Sequence, residues 1–220
     1  MRCKSIDLGL TDFREAYKFQ RQCLEEVKSG SSAGFLLFTE HRPVFTMGRF
    51  AKRDNLLIDE ETAKARGIDI VKTDRGGDIT FHGPGQMVAY PVFDLKKGIK
   101  DVHRFLSMLE DVAISCLKEF GIPSHRIKGR TGAWTDKGKI ASIGIGVSKW
   151  VTFHGIAINA NVDLDYFNMI NPCGFKDIKV TSMKEMLGKE IDLPLLKDRL
   201  IKQFQHHFNI ELVPATPIIV

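Results

Sequence analysis

The chain has 220 residues, 43% hydrophobic and 27% charged, with Lys and Arg exceeding Asp and Glu by 32 to 27, a net charge of +5. That is the composition of a soluble globular protein, and its charge is too small and too dispersed to announce a nucleic-acid binder. No apolar run approaches the roughly 20 residues of a membrane span, since the longest candidate, 140–147, is short and interrupted by Ser142, Gly144 and Gly146.

In chain order, the first residues carry the charge of a signal sequence, but Asp7, Asp12 and Glu15 fall where its apolar segment would lie, so the chain is read as cytoplasmic. Asp12, with Glu15 three residues on, predicts a helix whose apolar positions Phe13, Ala16, Tyr17, Cys23, Leu24 and Val27 recur until Gly30. Strand-like runs follow at 34–39, 44–47, 68–72 and 86–93. The clearest helix covers about 101–120, with Phe105, Leu109, Val112, Cys116 and Leu117 on its apolar stripe and Gly121 and Pro123 closing it. Further strands are expected at 132–135, 139–147 and 151–160, the first two joined by a hairpin turn at Asp136-Lys137-Gly138. Ser182 with Glu185 predicts a short helical turn, and Pro194 opens a last helix through Leu196, Leu200, Phe204 and Phe208. With no repeat or long linker, and with hairpin signals in the second half, the expectation is one α+β domain over 1–220 with a mixed, largely antiparallel sheet.

The densest polar and glycine cluster is Arg75-Gly76-Gly77-Asp78-Ile79-Thr80-Phe81-His82-Gly83-Pro84-Gly85-Gln86. Such a segment brings backbone N–H groups close to a ligand, although a tight surface loop would read the same way. It is neither a dinucleotide fingerprint nor a Walker loop. The four cysteines, Cys3, Cys23, Cys116 and Cys173, contain no C-x-x-C pair and read as separate reduced thiols, so neither metal nor cofactor is expected. Cys23 and Cys116 lie on apolar helix faces, whereas Cys173 lies in the turn-forming Asn171-Pro172-Cys173-Gly174. A thiol becomes a nucleophile when a cation or backbone donors favour its thiolate, and the candidate partners are Lys139, His82 and His154. On pattern alone Lys139 reads as a solvated turn lysine like Lys137, and His154 as a structural histidine. A Cys-His hydrolase fits these residues with equal force.

The run Arg75-Gly76-Gly77-x-x-Thr80-Phe81-His82-x-x-Gly85-Gln86-x-Val88-x-Tyr90 resembles the signature of the lipoyl (octanoyl) transferases, also called lipoate-protein ligase B. The resemblance extends to the segments Glu40–Arg49, Lys139–Gly144, Phe153–Asn159 and Asn171–Gly174, and departs at Arg42, where a small residue or proline is common. It implies the fold of the biotin and lipoate protein ligases. It also implies transfer of an octanoyl group from acyl carrier protein to a lysine of lipoyl domains, those of 2-oxoacid dehydrogenase E2 subunits and the glycine cleavage H protein. On this resemblance Cys173 is the acyl-accepting thiol and Lys139 the lysine that favours its thiolate, with His82 and His154 in support. Residues Arg75, Gly76, Gly77, Asp78, Ile79, Thr80, Phe81 and His82, with Ser142, Ile143 and Gly144 and with Gly155, Ile156 and Ala157, form the acyl-binding walls. Backbone donors near Gly76, Gly77 or Cys173 are the candidates for an oxyanion site.

An ATP-dependent ligase of related fold and a catalytically silent carrier-binding module stand as the competing readings. The basic run His125-Arg126-Ile127-Lys128-Gly129-Arg130, upstream of Lys139, is a candidate docking patch for an acidic carrier, although charge alone reads equally as a solvated loop.

Overall fold

The computed structural model describes residues 1–174 and 178–216. In chain order the strands and helices are β1 (Arg2–Thr11), α1 (Phe13–Ser29), β2 (Gly34–His41), β3 (Val44–Met47), α2 (Glu60–Ala65), β4 (Asp69–Lys72), β5 (Ile79–His82), β6 (Gln86–Phe93) and α3 (Val102–Glu119). There follow β7 (His125–Ile127), β8 (Arg130–Thr135), β9 (Gly138–Ser148), β10 (Val151–Asn159), α4 (Met183–Leu187), α5 (Leu193–Phe208) and β11 (Glu211–Pro214). An eight-stranded sheet runs β11-β1-β2-β6-β10-β9-β8-β7, and a three-stranded sheet runs β4-β3-β5. Only β11-β1-β2 in the large sheet and β3-β4 in the small one pair parallel, so the mixed, largely antiparallel architecture agrees with the expectation.

Period-two alternation explains how the large sheet is covered on both faces. In β2, Phe35 and Leu37 pack with Cys23, Leu24 and Val27 of α1, whereas Leu36 and Phe38 join Phe105, Leu109 and Leu117 of α3 and Leu196, Leu200 and Phe204 of α5. The helices start where their caps require. The Asp12 carboxylate accepts from the N–H groups of Arg14 and Glu15, Asp101 does the same for His103 and Arg104, and Gly30 ends α1 at φ 82°. Thus the second expected helix begins one residue after its cap and ends at Glu119. The small sheet has its own core, in which Phe45, Ile79 and Phe81 meet Val162, Phe167 and Ile170.

Five elements fall outside the expected ones. β1 buries only Cys3 and Ile6, because it is held chiefly by ladder bonds to β2 and β11 and needs no apolar alternation. β7, at the far edge, buries nothing, β11 is similarly short and edge-bound, and α2 buries Ala63 alone. β5 is the most consequential, because it converts a third of the glycine cluster into a strand paired with β3.

Candidate active site

Lys139 sits one residue into β9, after the hairpin that pairs Thr135 with Gly138. It is not a solvated turn lysine: it is 3% exposed, while Lys137 faces solvent. Its N–H donates to the Lys179 carbonyl and its carbonyl accepts from the Thr181 N–H, so both peptide groups are tied to the chain that follows Cys173. The side chain passes over the Trp134 ring, with Nζ 5.3 Å from the ring centroid. Gly132 makes that path possible: at φ 131° a Cβ there would stand 2.7 Å from Lys139 Cε and 2.4 Å from the Ala141 carbonyl oxygen. Nζ ends 3.1 Å from Cys173 Sγ and donates to it.

Cys173 reaches that position from a strained turn, with φ 58° and ψ 19° in the left-handed region. Around it the Asn171 N–H donates to the Asn55 carbonyl, and the Gly174 N–H to the Asn171 carbonyl. The Asn55 side-chain amide donates to Asp78 Oδ2 at 2.7 Å, while the other oxygen of Asp78 accepts from the Ile79 N–H. A Cβ on Gly174 would stand 2.6 Å from that same Asp78 oxygen. Asn55 therefore links the thiol's turn to the glycine segment. Sequence reading missed it, since it lies in a three-residue helical turn, Arg53–Asn55, and one of its bonds to the thiol's turn is made by its carbonyl, which any residue supplies.

The slot at the pair is walled by Ser142, Ile143 and Gly144 of β9 facing Ala157, Ile156 and Gly155 of β10 in antiparallel register, with Gly77, Asp78, Ile79, Thr80 and His82 opposite and Phe13, Val88 and Tyr90 beyond. Two residues expected as acyl walls lie elsewhere. Phe81 is fully buried in the small-sheet core, stacked on Tyr166 at 4.3 Å, because its neighbours Thr80 and His82 take the other face of β5. The Gly76 N–H donates to the Ile145 carbonyl at 2.7 Å, so it is not a vacant donor for an oxyanion. Arg75 is buried, with Nη2 on the Thr46 carbonyl at 2.6 Å and Nη1 on the Gly76 carbonyl at 3.0 Å. Burial lowers its pKa to about 10, against the charge of Cys173, and leaves it cationic at neutral pH.

His82 and His154 line the slot but bond away from the thiol. The Asn159 amide donates to the Thr181 carbonyl, its oxygen accepts from the Gln86 amide, and Gln86 Oε1 then faces His82 Nδ1 at 2.6 Å. That order of donors puts the ring proton of His82 on Nδ1 and leaves Nε2 with its lone pair. Burial lowers its pKa to about 3, so the ring is neutral. His154, also lowered by burial, bonds Asp74 through Nε2 at 3.0 Å, and its backbone, at φ 56°, is held by Gln20 accepting from its N–H. Asp74 itself is held at about 2, against its burial, by hydrogen bonds from His154 and Tyr17. Of the three candidate cations for the thiolate, Lys139 is the one bonded to it. Among the described residues no three His, Cys, Asp or Glu side chains gather as a metal site, and no helix is long and apolar enough to cross a membrane.

Residues 12–205 match the family model described as the lipoyl protein ligase A/B catalytic domain. The chain belongs to that family. Among its relatives, an octanoyltransferase of Geobacter metallireducens is 46% identical over 187 residues, covering 85% of this chain and 84% of the relative. Another of the same name, from Christiangramia forsetii, is 41% identical over 94% of this chain and 95% of its own length. Solved structures agree on the fold at low identity. A lipoate-protein ligase A bound with ATP superposes with a TM-score of 0.81 at 15% identity, covering 99% of this chain and 90% of that one. A biotin protein ligase from Aquifex aeolicus gives 0.55 at 16% identity, over 95% of this chain and 69% of that one.

Proposed function

We propose that this chain is a cytoplasmic acyltransferase that moves an octanoyl group from acyl carrier protein to a lysine of lipoyl domains, such as those of 2-oxoacid dehydrogenase E2 subunits and the glycine cleavage H protein, through a thioester on Cys173. The observation that carries this reading is the hydrogen bond of 3.1 Å from Lys139 Nζ to Cys173 Sγ at the mouth of an apolar slot. An ammonium that donates to a sulfur stabilises negative charge on it, and negative charge on sulfur is what a nucleophilic attack requires. A thiolate attacks a thioester readily, and the resulting acyl-cysteine stays reactive toward an amine. When the donor thiolate leaves, it takes a proton from Lys139, and the neutral Lys139 later accepts the proton released as the acceptor amine forms the amide. The names of the relatives that align over most of the chain support octanoyl as the group transferred.

The test is transfer from octanoyl carrier protein to a lipoyl domain without nucleotide and in the presence of EDTA. Octanoylated acceptor is expected. A strict requirement for ATP would place the chain with the ligases instead.

A further inference from the structure

A second cavity also ends at the Cys173–Lys139 pair. The slot described above opens toward α1, through Phe13, Val88 and Tyr90. The second, of about 380 Å³, lies toward α3: Val102 and Leu106 form one side, Trp134 and Ile145 the other, with Gly129 and Arg130 of the β7–β8 hairpin at its rim. The two spaces meet at the thiol, where Gly77, Asp78, Lys139, Ile143 and Gly144 border both. Beyond those shared residues, Val102, Leu106 and Ile145 of the second cavity pack with the core under α3, whereas Val88, Tyr90 and Ala157 of the slot pack with that under α1.

We propose that this second cavity receives the phosphopantetheine arm of the acyl donor; the inference rests on the transferase reading. Attack by Cys173 Sγ forms a new C–S bond at the thioester carbon, and collapse of the tetrahedral oxyanion breaks the old one. The donor departs as a thiolate and takes its proton from Lys139, so atoms and charge balance. If the octanoyl tail fills the α1-side slot, the departing sulfur and the chain attached to it occupy the other space that touches Sγ. The lining suits such an arm, which alternates apolar carbons with amides: aliphatic and indole surface lies next to the peptide groups of the hairpin. Charge fits as well, because the arm ends in a phosphate and the hairpin carries the exposed Lys128 beside Arg130.

Within the expected docking patch, Arg126 is ion-paired on the surface with Glu110 at 2.9 Å and Asp111 at 2.6 Å of α3, while Lys128 is exposed on the hairpin.

The experiment follows Cys173 acylation by intact mass with two donors, octanoyl carrier protein and p-nitrophenyl octanoate, an ester with no arm. Leu106→Trp, which narrows the second cavity from a partly exposed position, is expected to lower the acylation rate from the carrier protein by about tenfold while changing that from the ester by no more than about twofold. Lys128→Glu, on an exposed side chain that bears no part of the core, should slow the carrier protein alone, and added salt should shrink the difference. Equal loss with both donors, or wild-type rates with both in either variant, overturns the assignment of the cavity. Failure of the wild type to take an acyl group from either donor overturns the transferase reading itself.

Discussion

Lys139 stands at the start of an eleven-residue strand with both peptide groups bonded, whereas Cys173, 3.1 Å away, sits in a short turn with its backbone at φ 58°. The cation is placed by a sheet, the thiol by a strained loop. A left-handed backbone at a non-glycine residue costs on the order of 1–3 kcal/mol, and here the bonds through Asn171, Asn55 and Asp78 hold it. The slot and the ammonium are thus fixed by the sheet and the thiol by the bonds of a loop. Each half of the pair can be broken separately.

The largest effect belongs to the turn. Cys173→Ala is expected to abolish both acylation of the protein and transfer to a lipoyl domain while leaving the melting temperature nearly unchanged, checked by mass spectrometry and thermal denaturation. On the strand side, Lys139→Ala should slow iodoacetamide alkylation of Cys173 at pH 7 and reduce transfer by about 10²–10⁴-fold, the range typical of a lost proton-transfer group. Lys139→Arg separates charge from proton transfer: alkylation should survive better than transfer to the amine. Equal alkylation rates in all three proteins would remove Lys139 from its role.

Smaller losses should come from the supports. Asn55→Ala deprives Asp78 of a donor and is expected to cost about 1–2 kcal/mol of stability, together with slower acylation of Cys173. The acid side of the stability profile tests the histidines under the slot. Burial holds His41 at about 4 and His82 at about 3, both below the ordinary 6.5. Each ring charges more readily in the unfolded chain, so its contribution is whole above pH 6.5 and is lost as pH falls through those values. For His41 the loss by pH 4 is roughly 3 kcal/mol. His41→Gln should therefore flatten the decline of melting temperature between pH 7 and pH 4, and an unchanged slope would contradict the neutral buried ring.

The smallest effect on activity should come from the remaining thiols. Burial raises Cys3 to about 11 and Cys23 and Cys116 to about 12, so they should resist alkylation at pH 8 in the native protein. Serine at any of the three should leave transfer intact.

The long helices and most central strands were readable because their burial is written as periodicity and helix ends as caps: Asp12 and Gly30 act as read. The edge strands β7 and β11, and β1 beside β11, were not readable because strands held by ladder bonds with few buried side chains show little apolar alternation. At the site, the family resemblance singled out Cys173 and Lys139 where pattern alone read a solvated lysine, and the fold explains why a lysine after a hairpin turn is buried, through the room Gly132 leaves and the bonds to Lys179 and Thr181. Phe81 shows the opposite case, a residue inside the motif whose strand turns it into a core.

The most direct test of the account is to mix the protein with octanoyl carrier protein in the absence of nucleotide, quench, and locate the added mass by peptide mapping. The account predicts a single octanoyl group on Cys173, discharged when a lipoyl domain is then supplied. No adduct, or an adduct on another residue that passes its acyl group to the domain, would contradict it.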